Sequence, residues 1–195
     1  MANTNAPFGF RPIRRLDGAA WSGNHTTRKM QNNAGALNRG DLVQNLADGT
    51  VAVSAAGVGH QNAGVYVGCH YLSSALGYPI WSNYWPGAGA LGLVDVFIID
   101  DPFVVFEAMA SAGPLTMADI GANSDVVVNA STTGFSKWSL LAANSAAGGL
   151  NFPFRIVAVG NGGYPIQDGY DATSANNIVE VAWNDTALKG PAQGI

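Results

Sequence analysis

Two neighbouring carboxylates, Asp100 and Asp101, are the residues of this chain that come nearest to a catalytic pair. Asp95 and Glu107 lie close to them in sequence, and a glycosidase needs two carboxylates across a cleft. An Asp-Asp-Pro corner has a simpler use, because its side chains accept hydrogen bonds from turn amides. The chain contains no Gly-x-Ser-x-Gly elbow, Walker lysine or HExxH motif. We therefore expect no enzyme and no catalytic residues, with a glycoside hydrolase using Asp100 or Asp101 as an alternative.

The residues that could bind a metal are His60, Cys69 and His70. Structural zinc sites normally need four ligands in spacings such as CxxC or HxxxH, which are missing here. Cys69 and His70 are adjacent in a predicted strand, so they should point to opposite faces. Cys69 fits a small core residue, and as the single cysteine it excludes an intrachain disulfide. We expect no metal and no cofactor.

Two short motifs also have structural explanations. Gly87, Gly89 and Gly92 match the spacing of a dinucleotide-binding loop, which must follow a strand and open a helix. Here an aromatic segment precedes the glycines and a strand follows them, so we expect no nucleotide site. Residues 39–41 spell the integrin-type tripeptide Arg-Gly-Asp, but they open a strand and predict a turn.

The charges of the chain are divided along its length. Residues 1–39 carry six of the nine cations and one acid, which is a net charge of +5, whereas residues 40–195 carry three cations and twelve acids, or −9. Such a division indicates a basic arm on an acidic body. Pro7 and Pro12 force extended geometry on the residues before them. We therefore divide the chain into an extended basic arm, residues 1–39, and a body, residues 40–195.

The arm contains apolar residues that have no local core to join, namely Phe8, Phe10 and Ile13. Isolated aromatic residues are unusual in a disordered tail, so they predict anchors on another protein or on a neighbouring copy. The arm could also bind nucleic acid through charge and stacking. Six cations beside an acidic body are few for phosphate binding, so we favour a protein partner and expect no direct nucleic acid contact.

Short apolar runs separated by Gly, Pro and Asn dominate the body, and Gly makes up 25 of the 195 residues. The one helical candidate is residues 115–123, with Thr116 as its cap and Gly121 at its end. We predict an all-β sandwich or barrel of about ten short strands with one short helix. A break around residues 73–92 could separate two sub-lobes. The predicted strands are residues 42–46, 50–54, 64–72, 79–85, 93–99, 103–109, 125–128, 134–141, 152–160 and 177–183.

Charged residues make up only 11% of the chain, compared with about 25% in typical soluble domains. A surface with so few charges suits a protein that is largely covered by partners. A secreted, Asn-rich β-protein is the alternative. We see no signal peptide and no apolar stretch long enough to span a membrane, so we expect no membrane partner.

The chain resembles a family of head-decoration, or cement, proteins of tailed bacteriophages. The opening MANTNAPFGFRPIRR is similar to the short polar start of that family, with Pro-Phe-Gly-Phe and basic residues. GDLVQNLADGTVAVSAAG with NAGVYVGCHYL, from Gly40, resembles its strand–turn–strand unit. The segment from Asp95, DVFIIDDPFVVFEAMASAGPLTMADIGANSDVVVNASTTGFSKWSL, resembles its strand, corner, strand and short helix. FPFRIVAVG matches loosely, and residues 80–92 do not match.

The resemblance implies a structural virion protein on the capsid exterior, made in the cytoplasm of a bacterial host. Its partners would be the major capsid protein and further copies of itself, with a trimer favoured over a dimer. It would clamp neighbouring capsid subunits and have no catalytic residues. The expected interface with the capsid or a sister subunit is the arm: Phe8, Phe10, Arg11, Ile13, Arg14 and Arg15. The alternative function is a carbohydrate-binding or host-surface module, in which Trp81, Tyr84 and Trp85 would stack on sugar rings.

Overall fold

The protein is an all-β chain, as the sequence predicts. The structure, a computed structural model, describes residues 3–56, 62–142, 152–159, 166–167, 170–171 and 174–189. One predicted strand, residues 79–85, is divided into two shorter ones. The strands are β1 (Arg11–Arg15), β2 (Thr26–Met30), β3 (Leu37–Asn38), β4 (Leu42–Asn45), β5 (Val51–Val53), β6 (Asn62–Leu72), β7 (Pro79–Ser82), β8 (Tyr84–Trp85), β9 (Val94–Ile99), β10 (Val104–Ser111), β11 (Asn123–Ser124), β12 (Val126–Val127), β13 (Ser139–Leu141), β14 (Phe154–Val159), β15 (Ile166–Gln167), β16 (Tyr170–Asp171) and β17 (Ile178–Trp183).

One sheet closes on itself. Its strands pair in the order β4-β5-β2-β9-β6, and β6 pairs again with β4, so five strands form a small barrel. Strand β7 pairs with β6 outside this ring. Alternation along β9 fits a barrel wall, because Val94, Val96 and Ile98 are buried inside while Asp95 and Phe97 are half-exposed outside.

The other large sheet has seven strands in the order β11-β14-β17-β10-β13-β12, with β1 added beside β10. Strand β10 is at its centre. Val104, Phe106, Ala108 and Ala110 lie on one face of β10 and belong to the core, whereas Glu107 lies on the opposite face, half-buried and 3.6 Å from Arg11. Its core includes three aromatic side chains in mutual contact: Phe106, Phe154 and Trp183. Strand β15 pairs with β16, and β3 pairs with β8.

The two sheets share a wall. Strands β4, β6 and β9 present one face to the barrel interior, and at one end of the barrel their other face packs on the seven-stranded sheet. Leu42, Val65 and Ile99 are opposite one another in register and join the core of the seven-stranded sheet. The residues next to them along the three strands join the barrel core instead: Val43, Tyr66 and Ile98. The shared wall therefore makes the two cores adjacent layers of one packed unit.

Three sequence expectations differ from the structure in detail. The predicted helix is a single 3-10 turn, Met117–Asp119, which Asp119 closes by accepting a hydrogen bond from the Thr116 amide at 2.7 Å. Residues 1–39 do not form a separate arm in the structure, because β1 belongs to the seven-stranded sheet and β2 to the barrel. The chain passes from the barrel to the other sheet at residues 100–103, between β9 and β10, whereas residues 73–92 stay with the barrel.

The described part of the chain has no helix of the length and hydrophobicity that crossing a membrane requires.

Candidate functional site

The N-terminal segment enters the seven-stranded sheet through Gly9 and Phe10. The Gly9 amide donates to the Trp138 carbonyl at 3.1 Å, and the Phe10 amide donates to the Gly40 carbonyl at 3.0 Å. Gly9 has a φ of +76°, and a Cβ there would lie 2.7 Å from the Gly40 carbonyl oxygen. The Phe10 ring is 2% exposed and stacks on Phe154, with 4.4 Å between ring centroids. Phe10 is therefore an anchor in the core of its own chain and is not free to enter a partner's pocket.

The arginines of β1 also have partners within the chain. Arg14 donates to Glu180 from Nε at 3.2 Å and from Nη2 at 2.6 Å, and Glu180 is buried. Arg15 is paired with Asp101 and also lies 3.5 Å from Asp17. The basic segment and the acidic body of the sequence therefore neutralise each other at this sheet. Arg14 and Arg15 are thus engaged within the chain at this sheet.

The remaining predicted interface residues lie around these contacts. Arg11 has a side chain that is 62% exposed, lies 3.6 Å from Glu107 and packs its guanidinium 4.5 Å above the Phe8 ring. Ile13 is half-buried at the irregularity between Pro12 and Arg14 in the β1–β10 register. The six residues are thus not brought together on one free surface, and their contact with a capsid or sister subunit stays a prediction.

A groove opens beside this segment. It has a volume of about 390 Å³, and its walls include Phe8, Arg11, Arg39, Val67 and Phe135. Phe135 is 70% exposed, although it is a large apolar side chain. We use the name basic groove for the lining residues Phe8, Arg11, Arg39 and Phe135 together with the exposed Lys137, which follows Phe135 by two residues outside the groove lining.

Backbone pairing holds the two central residues of the basic groove. Arg39 and Phe135 form a parallel bridge, in which the Arg39 amide donates to Gly134 at 3.3 Å and the Arg39 carbonyl accepts from Ser136 at 3.1 Å. Burial alternates over residues 135–138, with Phe135 and Lys137 exposed and the residues after each buried. Phe135 and Lys137 are therefore both exposed, on either side of the buried Ser136.

A second exposed surface lies on the outside of the barrel. Trp81 on β7 is 71% exposed and stacks on Phe97 of β9, with centroids 5.5 Å apart and planes inclined by 7°. Gly68 lies opposite Phe97 on the intervening strand β6, so no side chain separates the two rings. His70 packs on Trp81 at 4.3 Å, and His25 meets the edge of Phe97 at 5.2 Å. We call Trp81, Phe97, His70 and His25 the aromatic platform.

The platform has polar neighbours and an open groove. Asp95 lies next to it and pairs with Lys29 at 2.5 Å and with His70 at 3.8 Å. The groove has a volume of about 570 Å³, and Ser82 and Asn83 line it together with the rings. Of the aromatic residues that the sequence suggested for sugar stacking, only Trp81 is fully available, because Trp85 is buried in the barrel core and Tyr84 is half-buried.

The carboxylates considered for catalysis, Asp100 and Asp101, form contacts that stabilise the corner between β9 and β10. Asp100 pairs with Arg28 at 3.4 Å. Asp101 pairs with Arg15 and accepts a hydrogen bond from the Phe103 amide at 2.9 Å. These contacts are what a turn-stabilising role predicts.

The glycine motif and the candidate metal ligands also have structural explanations. Gly87, Gly89 and Gly92 all have positive φ and lie in the loop between strands β8 and β9, without a helix after them. Cys69 is buried in the barrel core, where burial raises the pKa of its thiol. His60 lies outside the described residues. Within the described residues, no three His, Cys, Asp or Glu side chains are grouped closely enough to hold a metal ion.

Asp41 is a buried carboxylate behind the basic groove. It accepts hydrogen bonds from the Asn38 amide at 2.7 Å and from Asn38 Nδ2 at 3.3 Å, and it closes the turn that leads into β4. Burial raises the pKa of the Asp41 carboxyl, and the hydrogen bonds from Asn38 only partly oppose this effect. Asp41 therefore has a structural role in the Arg-Gly-Asp turn and does not present itself to a partner.

Sequence reasoning missed the residues that complete both surfaces: Arg39, Phe135, Lys137, Phe97 and Gly68. For Phe135 and Lys137 a signal exists, since they occupy alternate positions before the apolar run that ends in Leu141. The position of Arg39 depends on a bridge between segments almost a hundred residues apart, which no local pattern reports.

Comparison of the chain with protein-family models, with curated proteins and with solved structures gives no match.

Proposed function

We propose that the chain is a structural virion protein, a capsid decoration or cement protein that binds the outer surface of a phage head and clamps neighbouring major capsid subunits. The observation that supports this function best is the basic groove, where exposed Phe135 lies between cations on a surface with few other charges. Exposed aromatic residues together with arginine are typical of protein–protein interfaces. The resemblance of the sequence to phage decoration proteins supplies the identity of the partner.

The mechanism follows from the way the N-terminal segment is held. Phe10 and the β1–β10 pairing fasten the segment to the body, so Phe8 and Arg11 are presented from a rigid surface. A prearranged surface loses little conformational entropy on binding. Many copies of a modest contact over a shell, in an oligomer that engages several subunits at once, then add up to a stable coat. In this proposal the protein is a homo-oligomer on the capsid exterior, with no enzymatic activity.

The test is reconstitution on phage heads that lack the protein. Heads are mixed with the purified chain, sedimented, and imaged by electron microscopy. We expect co-sedimentation and added density at regular positions on the outer shell. Bare heads at saturating protein would contradict the proposed function.

A variant pair locates the binding surface in the same assay. Phe135→Ala should lower occupancy by about tenfold or more, since burying such a ring contributes roughly 1.5–3 kcal/mol per contact. Phe103→Ala is the matched control, because Phe103 is also an exposed phenylalanine but lies in the corner between β9 and β10. Equal occupancy of the two variants would show that the basic groove is not the contact.

A second candidate function is carbohydrate binding at the aromatic platform. It is supported by the exposed Trp81 ring, which Phe97 and His70 hold in place beside the polar side chains of the groove. Flat aromatic faces of this kind suit the apolar face of a sugar ring. A glycan array with the wild-type chain and with Trp81→Ala tests it. Hits that disappear in the variant support the function, whereas an array without hits, or hits that Trp81→Ala retains, removes it.

A further inference from the structure

The cations of the chain divide into those with internal partners and those without. Among the residues that the structure describes, two cations have neither an ion pair nor a side-chain hydrogen bond, and both belong to the basic groove: Arg39 and Lys137. The other described cations form ion pairs with acids or donate to oxygen atoms: Arg11, Arg14, Arg15, Arg28, Lys29, Arg155 and Lys189. The two cations that lack an internal partner are therefore on segments that the Arg39–Phe135 bridge joins, in a protein whose net charge is −4.

We propose that the basic groove binds an extended acidic segment of another protein chain, with carboxylates at Arg39 and Lys137 and an apolar side chain against Phe135. The inference rests on the proposed function for the source of the segment, which would be a capsid subunit. Complementary charge fixes the register and the choice of partner at such an interface, while the aromatic residue contributes most of the affinity.

The spacing of the groove suits an extended segment. Phe135 and Lys137 are exposed two residues apart with buried Ser136 between them, and Arg39 lies beside Phe135 across the bridge. A bound strand also places alternate side chains on one face. Alternating acidic and apolar residues would thus meet the cations and Phe135 in turn.

A second copy of the same chain is a poor occupant, because its own acids are already engaged. Of the acids whose side chains the structure describes, those in ion pairs are Asp17, Asp95, Asp100, Asp101, Glu107 and Glu180. Asp41 and Asp125 are buried, while Asp48 and Asp119 accept hydrogen bonds within their own turns. Asp185 is half-buried, and burial raises the pKa of its carboxyl. A copy therefore offers no pair of exposed, unengaged carboxylates from these residues.

Nucleic acid is the other anionic partner to be distinguished. Its affinity for a protein grows with the number of phosphates that cations neutralise. The basic groove has three cations, and Glu107 already lies 3.6 Å from one of them, Arg11. An acidic segment with an apolar side chain uses Phe135 as well as the charges, so it fits the groove better.

Fluorescence anisotropy with the full chain tests the inference. The probes are a short labelled peptide that alternates glutamate with leucine, the same peptide with glutamine for glutamate, and an oligothymidylate of similar length. We expect the glutamate peptide to bind tightest and to weaken as salt is added. Arg39→Gln with Lys137→Gln should weaken its binding by about fivefold or more, and Phe135→Ala by about tenfold. The matched control is Leu76→Glu with Leu188→Glu, which changes the net charge equally at exposed positions outside the groove.

Each contrary result has a definite meaning. Equal binding of the two peptides, or no binding of the glutamate peptide, overturns the inference. Tighter binding of the oligothymidylate overturns it in favour of nucleic acid. An equal loss in the Leu76 and Leu188 control assigns the effect to net charge and also overturns it. The head-binding assay distinguishes the two proposals. If the wild-type chain and the double glutamine variant coat heads equally, this inference fails while the proposed function stands. If the wild-type chain leaves heads bare, the proposed function fails while the peptide titration still decides this inference.

Discussion

Single residues decide which part of the N-terminal segment remains available to a partner. Gly9 adopts a positive φ against the Gly40 carbonyl, and this turn directs Phe10 inward while leaving Phe8 at the surface under Arg11. Two phenylalanines separated by one residue therefore have different roles. A side chain at Gly9 would meet the Gly40 backbone in a conformation that other residues rarely adopt.

Asp41 supports a prediction about stability and pH. Its folded-state pKa is raised by burial, so its contribution to stability is fully present below its unfolded pKa and is lost as pH rises through the folded pKa. Asp41→Asn keeps an oxygen for the Asn38 amide and removes the charge. We expect the variant to gain stability relative to wild type as pH rises above about 4, by about 1.4 kcal/mol for each unit that separates the two pKa values. Urea unfolding at a series of pH values measures the difference.

The control for this prediction is Asp48→Asn. Hydrogen bonds from Thr50 lower the pKa of the exposed Asp48 carboxyl, so the stability that Asp48 contributes is present above its unfolded pKa and is lost as pH falls through the folded pKa. The two variants should thus depend on pH in opposite directions. A difference between Asp41→Asn and wild type that is constant with pH would show that the Asp41 charge does not matter.

At the scale of elements, β1 attaches the N-terminal segment to the seven-stranded sheet. It pairs antiparallel with β10, and ion pairs connect it to three other segments through Glu107, Glu180 and Asp101. Ion pairs that are partly exposed add little each. Burial of Phe10 contributes more, and β1 covers an edge of β10 that would otherwise present unpaired backbone groups.

Removal of residues 1–15 should therefore destabilise the whole protein. The loss of the Phe10 ring alone costs about 3–5 kcal/mol, which is a large part of the stability of a typical domain. We expect a marked fall in melting temperature together with aggregation, measured by scanning calorimetry and light scattering. Removal of residues 1–6 is the control, because it keeps Phe8, Phe10 and β1, and Thr4, Asn5 and Ala6 are exposed. Similar melting of the two truncated proteins would mean that β1 is dispensable.

At the scale of the whole molecule, the shared wall of β4, β6 and β9 joins two hydrophobic cores. Consecutive residues of this wall belong to different cores, as Leu42 and Val43 show. Neither core is complete without these strands. The barrel and the seven-stranded sheet should therefore unfold together.

Leu42→Ala tests this coupling. Leu42 is fully buried in the core of the seven-stranded sheet, so its truncation should cost about 2–5 kcal/mol. We expect hydrogen exchange of slowly exchanging amides in β9 and in β10 to report the same loss of free energy. Leu76→Ala is the control, since Leu76 is exposed and its truncation should cost less than about 0.5 kcal/mol. A loss confined to β10 would show that the two cores unfold separately.

Local patterns were sufficient for several features. Alternation and β-branched residues predicted β9 and β10, the Asp-Asp-Pro sequence predicted the corner between them, and the adjacency of Cys69 and His70 predicted their opposite faces. Two-residue strands such as β3 and β11 were missed because so short a run carries no period. The candidate site was predicted only in part, since Phe8 and Arg11 do line the basic groove while Phe10 belongs to the core.

The sequence alone determined that the chain is all-β, that its positive charge lies mainly at one end, and that its apolar N-terminal residues need a surface to pack on. These properties depend on neighbouring residues, whose spacing and composition can be read directly. Only the tertiary structure decided that this surface belongs to the same chain, and that Arg39 and Lys137 keep their charge exposed. The physical reason is that ion pairs and core contacts join residues far apart in sequence, as Arg14 and Glu180 are, and their partners are chosen by the closing of the sheets.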